Sequence, residues 1–182
     1  SYRAEVPLSI TIEEEDYLLI VEGRADGIET EDTGVTIDEI KGIYGNLELL
    51  EAPVGVHLAQ AKCYAYIYAV QQELTEIAIQ MTYCNLDTEE IKRFRQEFSF
   101  AELKIWFDGV ILEYKKWADF QFAWRNLRQA SIKKLEFPYE YRKGQKELAA
   151  GVYRTINRGK ILFIQAPTGV GKTISSVFPA VK

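Results

Sequence analysis

Apolar and polar residues alternate strictly in the first part of the chain. From Glu5 to Ile12 every even-numbered residue is apolar, which predicts a half-buried strand. Pro7 lacks an N–H, so this strand either lies at a sheet edge or starts irregularly. The patterns of Tyr17–Ala25 and Val35–Lys41 predict two further strands. Between them, the polar stretch Asp26–Gly34 predicts a long hairpin connection.

A helical pattern follows these strands. Val56–Leu74 has neither glycine nor proline, which predicts a helix, and the alternation in Glu76–Cys84 predicts a strand. Thr88–Glu90 has the chemistry of a helix N-cap and opens the next segment. Two helices rich in aromatic and basic residues are predicted over Phe100–Asp119 and Asp119–Leu135. This order of strands, helix, strand and helices predicts an α/β domain.

The pattern changes after Glu136–Pro138. Tyr141–Gly159 is predicted to be helical, Lys160–Gln165 is predicted to be an apolar strand, and a glycine-rich loop follows. We therefore expect two domains, residues 1–135 and residues 136–182.

Composition narrows the class of protein. The chain is 47% hydrophobic and 27% charged, which suits a packed domain. It has no run approaching the roughly 18 apolar residues of a membrane-spanning helix. Two cysteines and a single histidine make a four-thiolate cluster, a histidine-rich metal site or a Ser/His/Asp triad improbable. We expect a reduced, cytoplasmic protein without a membrane partner.

Charge divides the chain into two halves. Residues 1–90 carry 4 Lys+Arg and 19 Asp+Glu, whereas residues 91–182 carry 18 and 8. The acidic half could gather cations and the basic half could meet a polyanion. Solvated surfaces of opposite sign remain an equal alternative.

Two carboxylates and a lysine are predicted on adjoining strands. Glu39 and Lys41 are two residues apart and so share one face of a strand, and Asp26 can lie opposite them on the neighbouring strand. With the carbonyl of Ile40, Asp26 and Glu39 would form an oxygen site suited to Mg²⁺ or Mn²⁺. The ammonium of Lys41 could hold a water beside it. The alternative is a surface hairpin whose charges face water.

The helix that follows carries Gln60 and Tyr64 four residues apart on one face. Asp, then Glu-x-Lys, then Gln-x-x-x-Tyr resembles the RecB-like branch of the PD-(D/E)xK nucleases over about residues 1–90. The resemblance implies a restriction-endonuclease-like fold, which is a mixed sheet flanked by helices, and metal-dependent cleavage of DNA. It also implies that Asp26, Glu39 and Lys41 are catalytic, while Gln60 and Tyr64 help to place the DNA backbone.

The chain departs from that family at two points. RecB-like nucleases usually have an upstream helix with a histidine ligand, and we expect that segment to precede Ser1 in a longer protein. Some relatives hold an iron–sulfur cluster on four cysteines, but Cys63 and Cys84 are the only cysteines here and are expected to be small buried residues. Glu5 is expected to face solvent. His57 could contact a phosphate or be structural, and both interpretations stay open.

A phosphate-binding signature lies near the C-terminal end. Ala166–Thr173, with the letters APTGVGKT, matches a Walker A loop whose first glycine is replaced by alanine. Gly169 and Gly171 would let backbone N–H groups point at phosphates. Lys172 would pair with the β- and γ-phosphates of ATP, and Thr173 would ligate Mg²⁺. We predict strand–loop–helix architecture around it.

The segment before this loop strengthens the nucleotide interpretation. Gln145 has a side-chain amide suited to the donor and acceptor edge of adenine. Phe137–Gln145, the spacing of Arg142 and Gln145, and the loop together resemble the DinG/XPD-like helicases. That resemblance implies the first strand–loop–helix of a RecA-like lobe. A Walker B acid pair, arginine fingers and a second lobe are absent, so we expect no ATP hydrolysis by this chain alone.

Together these features predict a nuclease domain fused to an ATP-dependent DNA helicase, acting in repair or processing on single-stranded or unwound DNA. A helicase with an inactive, DNA- or partner-binding front domain is the first alternative, and a motor with an unrelated regulatory domain is the second. Aromatic and basic residues are interleaved near the boundary and could guide a DNA strand, although we expect most of the aromatics to be core; they are Trp106, Trp117, Trp124, Arg125, Arg128, Lys133 and Lys134. The sequence leaves the oligomeric state open.

Overall fold

The computed structural model describes all residues, Ser1–Lys182, and the chain forms two compact units, residues 1–114 and residues 115–182. The elements in chain order are β1 (Tyr2–Glu13), β2 (Leu18–Glu31), β3 (Gly34–Ile43), a 3₁₀ turn (Leu47–Leu49), α1 (Gly55–Gln72), β4 (Glu76–Asn85), β5 (Ile91–Ser99), α2 (Phe100–Lys133), α3 (Gln145–Asn157) and α4 (Lys172–Val181). The units divide within α2, and the predicted boundary between residues 135 and 136 stays a prediction. None of these helices combines the length and hydropathy needed to cross a membrane.

The first unit is built on a five-stranded mixed sheet in the order β1-β2-β3-β4-β5. Neighbouring strands are antiparallel except β3 and β4, which are parallel. A parallel pair needs a long crossover, and α1 supplies it. Buried residues of α1 and of β2–β4 form one hydrophobic core. The predicted mixed α/β fold with helices flanking a sheet is confirmed.

The first strand lies at the edge of the sheet, which is one of the two options that Pro7 predicts. β1 pairs only with β2, and Pro7 lies in it with Leu8 buried beside it. An edge strand leaves one row of backbone groups unpaired, so a residue without an N–H is tolerated there.

The alternation of buried and exposed side chains shifts by one residue near Glu5 of β1, within the β1–β2 pair. Ala25 and Ile28 are both fully buried although they are three residues apart. On β1, Val6 packs against the core while Arg3 reaches Tyr68 of α1. Glu5 lies between them with a φ of 57°, in the left-handed region. Asp26 lies opposite Glu5, at the point of the shift.

The predicted long connection at Asp26–Gly34 is wrong. β2 continues to Glu31, and a two-residue turn at residues 32–33 leads directly into β3. Ile28 pairs with Ile37, and both are fully buried, so core packing extends the strand through a polar sequence.

Two predictions on the segments after β4 are also wrong. The segment opened by Thr88–Glu90 is the strand β5, because its residues pair with β4 along its length. The helix cap lies later: Ser99 Oγ accepts a hydrogen bond from the N–H of Glu102, whose carboxylate accepts one from the N–H of Ser99. This capping box starts α2, a single helix of 34 residues where two were predicted.

The aromatic residues of α2 differ in burial. Trp106 packs against the core of the first unit. Trp117 and Trp124 belong to the second unit and are 54% and 50% exposed. The expectation that most of these tryptophans are core is therefore wrong.

In the second unit, the predicted strand at Lys160–Gln165 is absent. Ile161 and Phe163 in this segment are 85% and 93% exposed. A strand needs a neighbour to take its hydrogen bonds, and no other segment of the structure pairs with this one. The predicted helix at Tyr141–Gly159 is confirmed only over α3, because Gly144 adopts a left-handed conformation before it.

Candidate functional site

We call the group Asp26, Glu39, Lys41, Gln60 and Tyr64 of the first unit the front site. Glu39, on β3, is its central residue. Ile37 is buried in the core, and Glu39, two residues later, lies on the same face with an exposure of 0%. One carboxylate oxygen, Oε1, accepts a hydrogen bond from Lys41 Nζ at 2.6 Å. The other oxygen, Oε2, is buried and has no hydrogen-bond partner. A buried carboxylate oxygen without a partner is costly, so it indicates a position for a ligand.

The pKa of Glu39 is raised above its usual range. Burial is the main cause, since it penalises the charged form. The hydrogen bond from Lys41 lowers the pKa in opposition, and the nearby charge of Asp26 raises it further. A positive charge beside Oε2 would favour the ionised carboxylate.

Asp26 lies where β2 and β3 separate. Their pairing ends at Gly27 and Asp38, and beyond it Asp26 Oδ2 accepts a hydrogen bond from the backbone N–H of Ile40 at 2.8 Å. The N–H and C=O of one strand residue point to the same side. The carbonyl of Ile40 therefore also faces the gap beside Asp26, as the predicted oxygen site requires.

The structure thus brings two carboxylates and one main-chain carbonyl together. No three His, Cys, Asp or Glu side chains form a group that could hold a metal ion. The orphaned Oε2 of Glu39 and the carbonyl of Ile40 fit a small hard cation with Asp26, with further positions left to water.

A chain of hydrogen bonds joins the strand to the helix. Lys41 Nζ donates to Gln60 Oε1 at 3.2 Å, and Gln60 Nε2 donates to the hydroxyl of Tyr64 at 3.1 Å. This chain of hydrogen bonds connects Glu39 with Gln60 and Tyr64 through Lys41. Asp26 is attached to the same part of β3 through the backbone N–H of Ile40. The sequence spacing of these residues alone does not give these contacts, because α1 has to lie over β3 for them to form.

Gly23 of β2 contacts the site, although the sequence did not predict it as a site residue. A Cβ atom added there would lie 2.7 Å from the ring and the hydroxyl of Tyr64. This close approach explains why a glycine occupies the core face of the strand at that point. The only signal in the sequence was this glycine itself, three residues before Asp26.

Other front-unit residues have plain roles. Glu5 is exposed and forms an ion pair with Arg24 at 2.6 Å, which confirms that it faces solvent. Cys63 and Cys84 are free and half-buried, and burial raises the pKa of the Cys63 thiol. They are therefore less buried than expected. Tyr68 accepts a hydrogen bond from Arg3 at 2.6 Å.

His57 lies in the first turn of α1, against β4. Its Nδ1 is 3.3 Å from the hydroxyl of Tyr83, a fully buried residue whose hydroxyl also accepts the backbone N–H of Val54 at 2.9 Å. Burial lowers the pKa of His57, and the positive charge of Lys41 lowers it further. The ring is therefore favoured in its neutral form.

The glycine-rich loop of the second unit is closed on itself. Lys172 Nζ donates hydrogen bonds to the carbonyls of Ala166 and Pro167 at 3.0 and 2.9 Å. Gly169 and Gly171 have φ angles of 81° and 75°, which only glycine adopts freely. Thr173 follows in the first turn of α4, whose N-terminus has no side-chain cap. The predicted loop and helix are present, without the predicted strand before them.

The segment before α3 fastens this loop. Arg142 donates from its guanidinium to the carbonyl of Gly169 and from its backbone N–H to Gln145 Oε1 at 3.0 Å. Gln145 is 4% exposed, and its Nε2 lies where a Cβ on Gly171 would clash. A cavity of about 580 Å³ lies beside these residues and is lined also by Lys172 and Thr173. Gln145 thus borders the cavity with its amide oxygen already bonded.

No protein-family model matches the chain, and no curated protein sequence matches it. Among solved structures, it is similar to the one described as the crystal structure of SSO0001, with 19% sequence identity and a TM-score of 0.41. The similarity covers 61% of this chain and 50% of that chain, so the chain spans about half the length of that structure. A likeness of this size does not bear on activity, substrate or partner.

Proposed function

We propose that the first unit is a metal-dependent nuclease of the RecB-like PD-(D/E)xK kind, with a restriction-endonuclease-like sheet, that hydrolyses phosphodiester bonds of DNA. The observation that carries the proposal is Glu39, a fully buried carboxylate with one oxygen on Lys41 and the other without a partner. A protein interior rarely keeps such a group without a use for its charge.

Asp26, Glu39 and the carbonyl of Ile40 would hold Mg²⁺ or Mn²⁺. When bound, such a cation lowers the pKa of a water and offsets phosphate charge. β2 and β3 are unpaired before Gly27 on β2 and after Asp38 on β3, and this separation leaves the space on this side of β3. Asp26 already accepts the Ile40 N–H with one oxygen, so its other oxygen remains for the cation.

Lys41 would orient the attacking water and stabilise charge on the scissile phosphate. An ammonium has three protons, and two of them are donated to Glu39 and Gln60. The third remains for water or a phosphate oxygen. Gln60 and Tyr64 fix the direction of this donor through their own hydrogen bonds, and this pre-organisation favours the transition state.

We further propose that the second unit binds ATP at residues 166–173 as the beginning of a RecA-like lobe of a DinG/XPD-like helicase. The glycine conformations, the cavity beside Lys172 and the uncapped start of α4 support this proposal. A longer protein would then couple ATP use to movement on DNA and supply single strands to the nuclease unit.

Metal binding by the purified chain and DNA cutting by a longer protein that includes the expected upstream helix test the nuclease proposal. Calorimetry should show that the chain binds Mn²⁺. The longer protein should degrade labelled single-stranded DNA, and chelation should stop this cutting. Glu39→Gln keeps the size of the side chain and should abolish both. Glu22→Ala removes an exposed glutamate of β2 and should change neither metal binding nor cutting. Cutting by Glu39→Gln at the normal rate would exclude this site.

A further inference from the structure

The buried hydroxyl of Tyr83 determines which nitrogen of His57 carries the proton. The hydroxyl accepts the N–H of Val54, and its own proton needs an acceptor because Tyr83 is fully buried. His57 Nδ1 is the acceptor within reach, at 3.3 Å. Nδ1 therefore carries no proton, and the proton of the neutral ring lies on Nε2.

The same contacts place His57 beside the front site. Tyr83 pairs with Lys41 in the parallel β3–β4 ladder, so the two side chains are neighbours on one face of the sheet. Gln60 lies three residues after His57 on α1, on the same side of the helix, and accepts a hydrogen bond from Lys41. The ring of His57 is only partly buried, and no protein atom accepts a hydrogen bond from its Nε2.

We propose that His57 is a DNA-binding residue of the front site, whose Nε2–H donates to a backbone phosphate oxygen, and that Tyr83 is the positioning residue that holds the ring in this tautomer. This inference rests on the proposed DNA-binding role of the first unit. It adds a neutral donor next to the ammonium of Lys41. A neutral donor can bind a phosphate without placing a second positive charge against Lys41.

The tautomer can be measured directly because the chain has a single histidine. Nitrogen-15 NMR of the imidazole in metal-free buffer should show a neutral ring with the proton on Nε2 and a hydrogen-bonded Nδ1. Tyr83→Phe keeps the ring of residue 83 and removes its hydroxyl, so the Nδ1 signal should lose that bond and the tautomers should mix. A wild-type ring with the proton on Nδ1 would overturn the proposal.

Binding of a fluorescein-labelled oligothymidylate, measured by anisotropy with a chelator present, tests the phosphate contact. His57→Ala should weaken binding about tenfold, the range expected for a hydrogen bond to a charged group. His57→Gln retains an N–H donor and should recover most of the affinity. Gln72→Ala, an exposed position of the same helix, should not change it. The Nε2 signal of the wild type should also shift on addition of the strand.

The outcomes separate the two proposals. Unchanged affinity in His57→Ala, or an Nε2 signal that does not respond to the strand, overturns the role of His57 even if Glu39→Gln abolishes cutting. Conversely, a longer wild-type protein that binds no Mn²⁺ and cuts no DNA overturns the nuclease proposal, while a loss of strand binding in His57→Ala would still support the phosphate contact.

Discussion

The two candidate sites of this chain each contain a lysine whose ammonium is already hydrogen-bonded, but the partners differ. Lys41 bonds to side chains from β3 and α1, and one of them is the buried carboxylate of Glu39. Lys172 is exposed and bonds to two carbonyls of its own loop. The position of Lys41 thus depends on tertiary packing, whereas the position of Lys172 depends on eight consecutive residues of one loop.

This difference predicts how each lysine responds to a ligand. Lys41 is held in place and has one proton left for water or phosphate, so its site is organised before substrate arrives. Lys172 satisfies backbone carbonyls, and an incoming phosphate has to replace them as partners. The activity of the front site should therefore be sensitive to small changes of geometry. Phosphate binding by the loop of Lys172 should instead be sensitive to loss of charge.

The largest effect is expected for the geometry of Lys41. Lys41→Arg keeps the charge but replaces a compact ammonium by a longer planar group. DNA cutting should fall by about 100-fold or more, while Mn²⁺ binding measured by calorimetry should persist. Lys62→Arg on α1 is the matched control and should cut normally. Loss of metal as complete as in Glu39→Gln would contradict this division of roles.

A smaller effect is expected for the charge of Lys172. Lys172→Ala should weaken binding of a fluorescent ATP analogue by about tenfold or more, because a charge-assisted contact to phosphate is lost. Cutting of DNA and Mn²⁺ binding should not change. Lys160→Ala, an exposed lysine outside the loop, serves as the control. Equal nucleotide affinity in the two variants would show that the loop is not a phosphate-binding site.

The smallest effect concerns the pH dependence of stability, measured by urea unfolding in metal-free buffer. The pKa of Glu39 is raised in the folded protein, so the unfolded state ionises first as the pH rises. The contribution of Glu39 to stability should be fully present below the ordinary glutamate range and should be lost as the pH rises through the raised pKa, by about 1.4 kcal/mol per pKa unit of elevation. Glu39→Gln should remove this part of the profile, and the same slope in that variant would assign it elsewhere.

Much of this arrangement could be predicted because it follows short periodic rules. The strand period places Glu39 and Lys41 on one face, and the helix period places Gln60 and Tyr64 on another. The edge position of β1 follows from Pro7 in the same way. These predictions use only neighbours in sequence and the family resemblance that orders them.

The errors arose where partners distant in sequence decide the structure. Thr88–Glu90 has the chemistry of a helix N-cap, yet pairing with β4 makes the segment that follows a strand. The apolar run before the glycine-rich loop has the composition of a strand, but it has no strand to pair with. The approach of Tyr64 to Gly23 depends on the angle between a helix and a sheet, which no local pattern encodes.

The left-handed residue Glu5 also has a consequence for how the β1–β2 hairpin forms. A uniform hairpin that slips by two residues keeps every side chain on its original face, so such a slip is weakly opposed. Here the alternation changes phase once, between Ala25 and Ile28, opposite Glu5. Any slip would separate the phase change on β1 from that on β2. The hairpin therefore has one pairing that satisfies both strands, and that pairing delivers Asp26 to the site.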